Sequence, residues 1–173
     1  MNICIFGASS DRIDPAYFDA AFKLGVLIAR GVIEHGGEAH GVAPRFFNAP
    51  GVLFFDGCSI LLTETMAQRK TFMAEKADAF IALPGGIGTF EEFMEVLTLR
   101  QLGRHYKPIA LLNTLGYFDA LESMLREASE KGFMSARVHR CYALCPDPAA
   151  ALSHVTRPND APDAASGLSL YSR

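Results

Sequence analysis

Short apolar runs alternate with helical patterns along most of the chain. Continuous apolar runs, which predict strands, lie at 2–7, 38–43, 57–62, 78–83, 107–112 and 141–145. Runs that are apolar throughout are typical of parallel strands that helices cover on both faces. Between them, amphipathic spacing predicts helices at 15–34, 63–76, 89–103 and 117–131. This alternation predicts an α/β fold with a doubly wound parallel sheet and helices on both faces.

The regular pattern ends near Thr156. The 173 residues are enough for one well-buried domain and too few for two comfortable ones. Beyond Thr156 the sequence is rich in proline, aspartate and small residues, a composition that does not build a core. We therefore predict a single domain over 1–155 and a flexible C-terminal tail over 156–173.

Charge and cysteine content narrow the possible partners and the compartment. The net charge is −3 with a pI near 5.9, so we predict neither nucleic acid nor a membrane surface as a partner. No apolar run approaches the roughly 20 residues of a membrane span. The chain starts in a predicted strand without a signal-peptide pattern. Four cysteines without metal-site spacing are interpreted as reduced structural thiols, and the predicted location is cytoplasmic.

The segment Pro84-Gly85-Gly86-Ile87-Gly88-Thr89, called the glycine turn below, links a buried strand to a helix. Glycine allows close backbone approach, so successive N–H groups can converge on an anion, and a helix N-terminus adds free donors and a favourable dipole. The turn therefore predicts a phosphate site built by Gly85, Gly86, Gly88 and Thr89. The alternative is a plain tight turn before a helix.

Two interpretations of Glu92 remain open from spacing. Thr89-x-x-Glu92 fits a capping box, in which the glutamate bonds back to the start of its helix and is purely structural. A carboxylate beside a phosphate site is also what a reaction needs to activate water or to stabilise a developing cation.

The helix predicted at 63–76 carries two cations within its apolar stripe. Arg69 and Lys70 lie three or four residues from Met66 and Met73, and a cation on an inward face is costly unless it meets an anion. A phosphate or a carboxylate such as Glu92 would supply that anion. The alternative is that the stems reach along the apolar surface to water. Arginine is a poor proton donor, so Arg69 is assigned to anchoring and charge stabilisation.

Weaker candidates lie nearby. Glu91, Glu95 and Thr98 share one face of the helix after the glycine turn. Ser9 follows the first strand and is either a donor to phosphate or ribose or a simple turn residue. The five histidines show no metal-binding spacing, and we predict no metal and no cofactor.

Together these segments resemble a known family. Met66-Ala67-Gln68-Arg69-Lys70, followed by the glycine turn and Phe90-Glu91-Glu92, is similar to the paired signature of the LOG family, the cytokinin riboside 5′-monophosphate phosphoribohydrolases, which are often labelled lysine decarboxylases. The similarity extends from Asn2 to about Leu144. The decarboxylase label has no support in these residues, because that chemistry requires pyridoxal phosphate on a Schiff-base lysine.

The resemblance implies a fold and a reaction. It implies a Rossmann-like homodimer that hydrolyses the N-glycosidic bond of AMP or N6-substituted AMP, releasing the free base and ribose 5-phosphate. Arg69 and Glu92 would be the catalytic pair, and a carboxylate suits an oxocarbenium-like transition state. Lys70, the residues 85–91 and Thr98 would line the nucleotide site. The alternative is a nucleotide or molybdenum-cofactor carrier of the same fold without turnover.

The sequence departs from the family in three places. Ala67 replaces a frequent histidine, and Phe46 replaces a substrate-binding glutamate of plant-type members. On the order of 20 residues, a strand and a glycine-rich loop, are also missing after the first helix. A genuine deletion would expose a sheet edge. The second interpretation, which we favour, is that the segment belongs to the protein but was dropped from the sequence near 28–32, which would separate neighbouring Cα atoms there far beyond ~3.8 Å.

Overall fold

A computed structural model describes residues 1–8, 12–35, 38–48 and 59–157, with the backbone alone for 29–35. Within these ranges the strands, β1 to β6, are Ile3–Phe6, His40–Pro44, Ser59–Thr63, Ala79–Ala82, Ile109–Leu112 and Ala143–Cys145. The helices of the same described residues, α1 to α5, are Pro15–His35, Met66–Lys76, Ile87–Gln101, Asp119–Glu130 and Pro148–Thr156. Every strand and four of the helices fall where the sequence pattern predicted them. In these ranges no helix is long and apolar enough to cross a membrane.

The main sheet has four parallel strands in the order β1-β4-β5-β6. All residues of β4 and β5 are buried, because helices cover both faces. Phe80 and Leu111 pack with Phe93 of α3 and Leu125 of α4 on one face. The strand residues between them face the other side of the sheet, where they pack with Ala20 and Leu24 of α1 and with Ala151 and Val155 of α5. These strand residues are Ala79, Ile81, Ala110 and Leu112. The predicted Rossmann-like α/β fold is confirmed.

Helix α5 was missed by the sequence analysis. Asp147 caps its N-terminus, with Oδ1 accepting a hydrogen bond from the Ala150 N–H at 2.8 Å, and Pro148 occupies the first helical position. This Asp-Pro start is a recognisable helix signal. The predicted boundary at 155 falls inside the last turn of α5. The predicted tail lies almost wholly outside the described residues, so it stays a prediction.

The sheet is divided, which the sequence analysis did not predict. Strands β2 and β3 pair in parallel with each other and form a separate two-stranded sheet. Among the described strands β1 pairs only with β4, so its other edge carries no strand, and Ile5 is exposed there. Helix α1 runs as one helix through Gly31. The favoured interpretation of the missing strand and loop stays a prediction.

Candidate active site

The glycine turn connects β4 to α3 at the C-terminal edge of the main sheet. Leu83 N–H bonds to the Phe6 carbonyl at 2.8 Å, which joins the ends of β1 and β4. Gly86 is the extended N-cap residue of α3, and no side chain in the described part of the chain caps this end. The first helical bond runs from Phe90 N–H to the Gly86 carbonyl at 3.1 Å. The N–H groups of the preceding first turn therefore have no intrahelical partner, which suits an anion.

Close approach explains why residue 85 is glycine. A Cβ atom at Gly85 would lie 2.1 Å from Thr89 Oγ1 and 3.1 Å from the Ala8 backbone nitrogen. A side chain there would force the turn away from both. A Cβ at Gly86 or Gly88 would meet no described atom within 4 Å, so the backbone at these two positions is open to a ligand.

The capping-box interpretation of Glu92 is wrong. Helix α3 begins at Ile87, two residues before the predicted start, and Gly86 is its N-cap. Thr89 is therefore already the third helical residue and cannot be the cap. Glu92 lies further along the helix, and its carboxylate is bound to a different partner.

That partner is Arg69 on α2. Nη1 of Arg69 donates to Oε1 of Glu92, and Nε donates to the Val42 carbonyl at 2.9 Å. The two side chains are only 19% and 11% exposed, so this ion pair is largely shielded from water. The prediction that Arg69 needs an inward anion such as Glu92 is confirmed. The pair joins α2, α3 and β2 at one point.

Cys4 of β1 is a neutral thiol near this pair. Burial first, and then the negative charge of Glu92, raise the pKa of Cys4 to about 12. Cys4 therefore stays protonated near neutral pH and contributes packing from β1 rather than charge.

Lys70 forms a second link between α2 and α3. Its ammonium donates to Glu91 Oε1 and lies 3.0 Å from Glu95 Oε2. Hydrogen bonds to Glu91 first and Glu95 second raise the pKa of Lys70, so it stays charged. The alternative, in which the Lys70 side chain reaches only to water, is wrong, because its ammonium pairs with two carboxylates.

The structure brings most of the predicted site residues to one place, where the start of α3 faces α2: Arg69, Lys70, Gly85, Gly86, Gly88, Thr89, Glu91 and Glu92. Thr98 is exposed on α3, eleven residues after Ile87 and hence about 16 Å along the helix axis. Its assignment to the nucleotide site stays a prediction. Ser9 lies outside the described residues, and its role also stays a prediction.

Tyr117 is a neighbour of the turn that the sequence analysis missed. Its hydroxyl donates to the Gly85 carbonyl, and its ring stacks on Phe90 with centroids 6.2 Å apart. The available signal was Asn113 and Gly116 directly after the strand at 107–112, since turn residues at the carboxyl end of a parallel strand face the ligand edge.

Comparisons with known proteins show to which proteins this chain is similar. Residues 26–155 match a family model described as "Possible lysine decarboxylase". The chain is 37% identical over 167 residues to cytokinin riboside 5′-monophosphate phosphoribohydrolase LOG2 of Arabidopsis thaliana, covering 84% of this chain and 78% of the relative. It is 36% identical over 166 residues to LOG7 of the same plant, covering 84% and 76%.

The chain belongs to the LOG family. A probable member from Oryza sativa subsp. japonica, LOGL3, is 39% identical over 134 residues, covering 78% of this chain and 64% of the relative. The match with LOG2 spans 167 positions, yet 84% of 173 residues is about 145. Roughly 20 positions of the alignment with LOG2 therefore have no residue from this chain. That number is close to the strand and loop that the sequence lacks relative to the family.

Proposed function

We propose that this chain hydrolyses the N-glycosidic bond of adenosine 5′-monophosphate or an N6-substituted derivative, releasing the free base and ribose 5-phosphate. The observation that carries the proposal is the shielded Arg69–Glu92 pair beside the uncapped start of α3. A phosphate-binding turn alone would not need a buried carboxylate next to it. Relatives named phosphoribohydrolases, at 36–39% identity, support the same reaction.

In this proposal the glycine turn holds the 5′-phosphate. The free N–H groups at the start of α3 and the helix dipole favour an anion there. The open backbone at Gly86 and Gly88 lets phosphate oxygens approach. Binding the phosphate fixes the ribose against the carboxylate of Glu92, which removes much of the entropic cost of aligning the reacting groups.

Glu92 then acts at the anomeric carbon. As the bond from C1′ to the base nitrogen breaks, positive charge develops on the ribose, and a nearby carboxylate stabilises it. Glu92 accepts a proton from the attacking water as the water oxygen bonds to C1′ and the bond from C1′ to the base nitrogen breaks. The departing base takes up a proton from solvent, and Glu92 afterwards returns its proton to solvent. Arg69 holds Oε1 of Glu92 and so fixes the direction of the carboxylate. Lys70 and Glu91, paired with each other at the same helix end, would line the nucleotide site.

The test is release of free base from AMP and from N6-isopentenyl-AMP. Glu92→Gln keeps the size of the side chain but removes its charge, so we expect kcat to fall at least about 100-fold. Glu127→Gln is the matched control, because it removes an exposed carboxylate paired only with Lys131 on α4, and we expect wild-type rates. No base release by the wild type, or equal rates for Glu92→Gln, would contradict the proposal. Tight nucleotide retention without turnover would favour the carrier alternative.

We also propose a homodimer, as the family resemblance implies. Helix α1 buries Ala20 and Leu24 but exposes a second apolar stripe at Phe18, Phe22 and Val26, spaced four residues apart on one face. An exposed stripe of this kind is typical of an interface. Light scattering should give twice the chain mass for the wild type and the chain mass for Phe22→Asp. A monomeric wild type would contradict this assembly.

The cytoplasmic location stays a prediction that imaging of a tagged chain would check.

A further inference from the structure

The loop after β5 is closed by the side chain of Asn113. Its Oδ1 accepts a hydrogen bond from the Phe118 N–H, and its Nδ2 donates to Asp119 Oδ1, both at 2.7 Å. Its backbone N–H bonds to the Cys145 carbonyl at 2.7 Å, which ties the loop to β6. One amide side chain therefore holds the loop residues 113–119 in a single conformation.

Two successive left-handed residues turn this loop back towards the sheet edge. Leu115 has φ 54° and Gly116 has φ 72°, a region that is unfavourable for leucine. Leu115 is 69% exposed, so packing of its own side chain does not explain the conformation. A Cβ atom at Gly116 would lie 2.5 Å from Asp119 Oδ2. Strained backbone persists where its surroundings over-determine it, and here it directs the next residue, Tyr117.

Tyr117 is fixed on several sides. Its ring stacks on Phe90, meets Tyr17 edge-on at 5.7 Å between centroids, and meets Phe118 edge-on at 5.1 Å. The hydroxyl reaches the Gly85 carbonyl and donates to it. Because Phe90 belongs to α3 and Tyr17 to α1, the ring is held from both layers around the sheet edge.

The direction of the Gly85 carbonyl sets the direction of the Gly86 N–H group. A trans peptide is planar, so the carbonyl oxygen of Gly85 and the N–H of Gly86 point in opposite directions within one plane. A peptide between two glycines rotates with little steric resistance. If it flipped, a carbonyl oxygen would face the phosphate instead of a donor, and the two negative groups would repel.

We infer that Tyr117 is a positioning residue for the phosphate site: its hydroxyl locks the Gly85–Gly86 peptide so that the Gly86 N–H faces the 5′-phosphate. This inference rests on the proposed function, since it assumes that the glycine turn binds the phosphate of the substrate. The hydroxyl of Tyr117 contacts the backbone of the turn, and in this inference it acts through that backbone.

The test compares ligands with and without phosphate in Tyr117→Phe, which keeps the ring packing and removes the hydroxyl. We expect KM for AMP and the inhibition constant of ribose 5-phosphate to rise about tenfold, the effect of one lost hydrogen bond. The kcat for AMP should change little, and kcat/KM for adenosine and inhibition by adenine should stay at wild-type values. A general loss of structure would move all of these together.

Tyr142→Phe is the matched control. It removes a hydroxyl that donates to Glu122 rather than to the turn, so its preference for phosphorylated ligands should stay at the wild-type level. A Tyr117→Phe protein with unchanged phosphate preference, or with equal losses for AMP and adenosine, would overturn the inference while leaving the hydrolase proposal intact.

A second readout separates the two proposals. Inorganic phosphate is titrated while the amide resonance of Gly86 is followed by NMR in wild type and Tyr117→Phe. We expect a saturable shift in the wild type and about tenfold weaker binding in the variant. If the wild type shows this shift but releases no base, hydrolysis is excluded and the Tyr117 inference still stands. No shift in the wild type would overturn the inference.

Discussion

The two sheets of this chain have similar apolar strands but very different surroundings. In β5 every residue is buried, and Leu111 has no exposed surface, whereas Leu61 in β3 is 43% exposed. Strand β5 has a partner on each side and helices on both faces, while β3 pairs only with β2 among the described strands. The main sheet, called the platform below, is therefore well covered on both faces at β4 and β5, whereas the pair β2 and β3 is lightly covered.

The candidate site lies where these two regions meet. The glycine turn and Glu92 follow β4, at the centre of the platform, while Arg69 lies on α2, the helix that packs on β2 and β3. The Arg69 side chain contacts Glu92 on one side and the Val42 carbonyl on the other. The platform therefore sets the position of the carboxylate, and the guanidinium ties the smaller sheet to it.

We expect a large difference in the free energy of unfolding between two leucine-to-alanine variants, one in each sheet. Leu111→Ala empties a fully buried position and should lower the free energy of unfolding by about 2–5 kcal/mol. Leu61→Ala removes a half-exposed side chain, and we expect about 1 kcal/mol or less. Urea denaturation of both variants measures this. Similar losses would mean that β3 is covered as well as β5 in solution.

Breaking the tie between the sheets should have an effect of similar size. Arg69→Met leaves the carboxylate of Glu92 shielded and unpaired, which costs about 3–5 kcal/mol when a buried partner is removed. Amides of β2 and β3 should also exchange hydrogen faster than those of β4 and β5. Arg45→Met is the control, because its pair with Glu64 is 61% and 64% exposed and should contribute under about 1 kcal/mol. Equal effects would argue against a shielded Arg69–Glu92 pair.

A smaller effect tests how closely the platform fits the glycine turn. Gly85→Ala places a methyl group against Thr89 and Ala8, and such overpacking typically costs about 1–3 kcal/mol. Gly88→Ala meets no described atom within 4 Å and should be neutral or stabilise by about 0.4–1 kcal/mol, since alanine has fewer unfolded conformations. Thermal and urea unfolding separate the two variants. A well-tolerated Gly85→Ala would show that the turn is looser than the contacts indicate.

The smallest effect is a pH dependence within the platform. Burial lowers the pKa of His105, whose ring also contacts the Val96 carbonyl at 2.9 Å. As pH falls below the unfolded value of about 6.5, the unfolded chain takes up the proton first, so stability is lost until the folded pKa is passed. His105→Gln should flatten this slope, though not abolish it, because burial also lowers the pKa of His154. An unchanged slope would contradict this assignment.

Local sequence patterns predicted much of this fold because strand and helix periodicity depends on near neighbours. All six strands and the helices from α1 to α4 were predicted, as was the need of Arg69 for an inward anion. The Asp147-Pro148 start of α5 was also a local signal and could have been found. The pairing of particular strands was not local, because parallel partners are far apart in sequence and their spatial order decides which edges stay unpaired.

The sequence by itself determined the strand–helix alternation, the glycines that a phosphate turn requires, and the family to which the chain belongs. Only the tertiary structure decided that Glu92 is a partner of Arg69 rather than a helix cap, because that required the start of α3 and its approach to α2. It also brought Tyr117 to a carbonyl 32 residues away. Contacts of this range follow from how the layers pack, which no local pattern encodes.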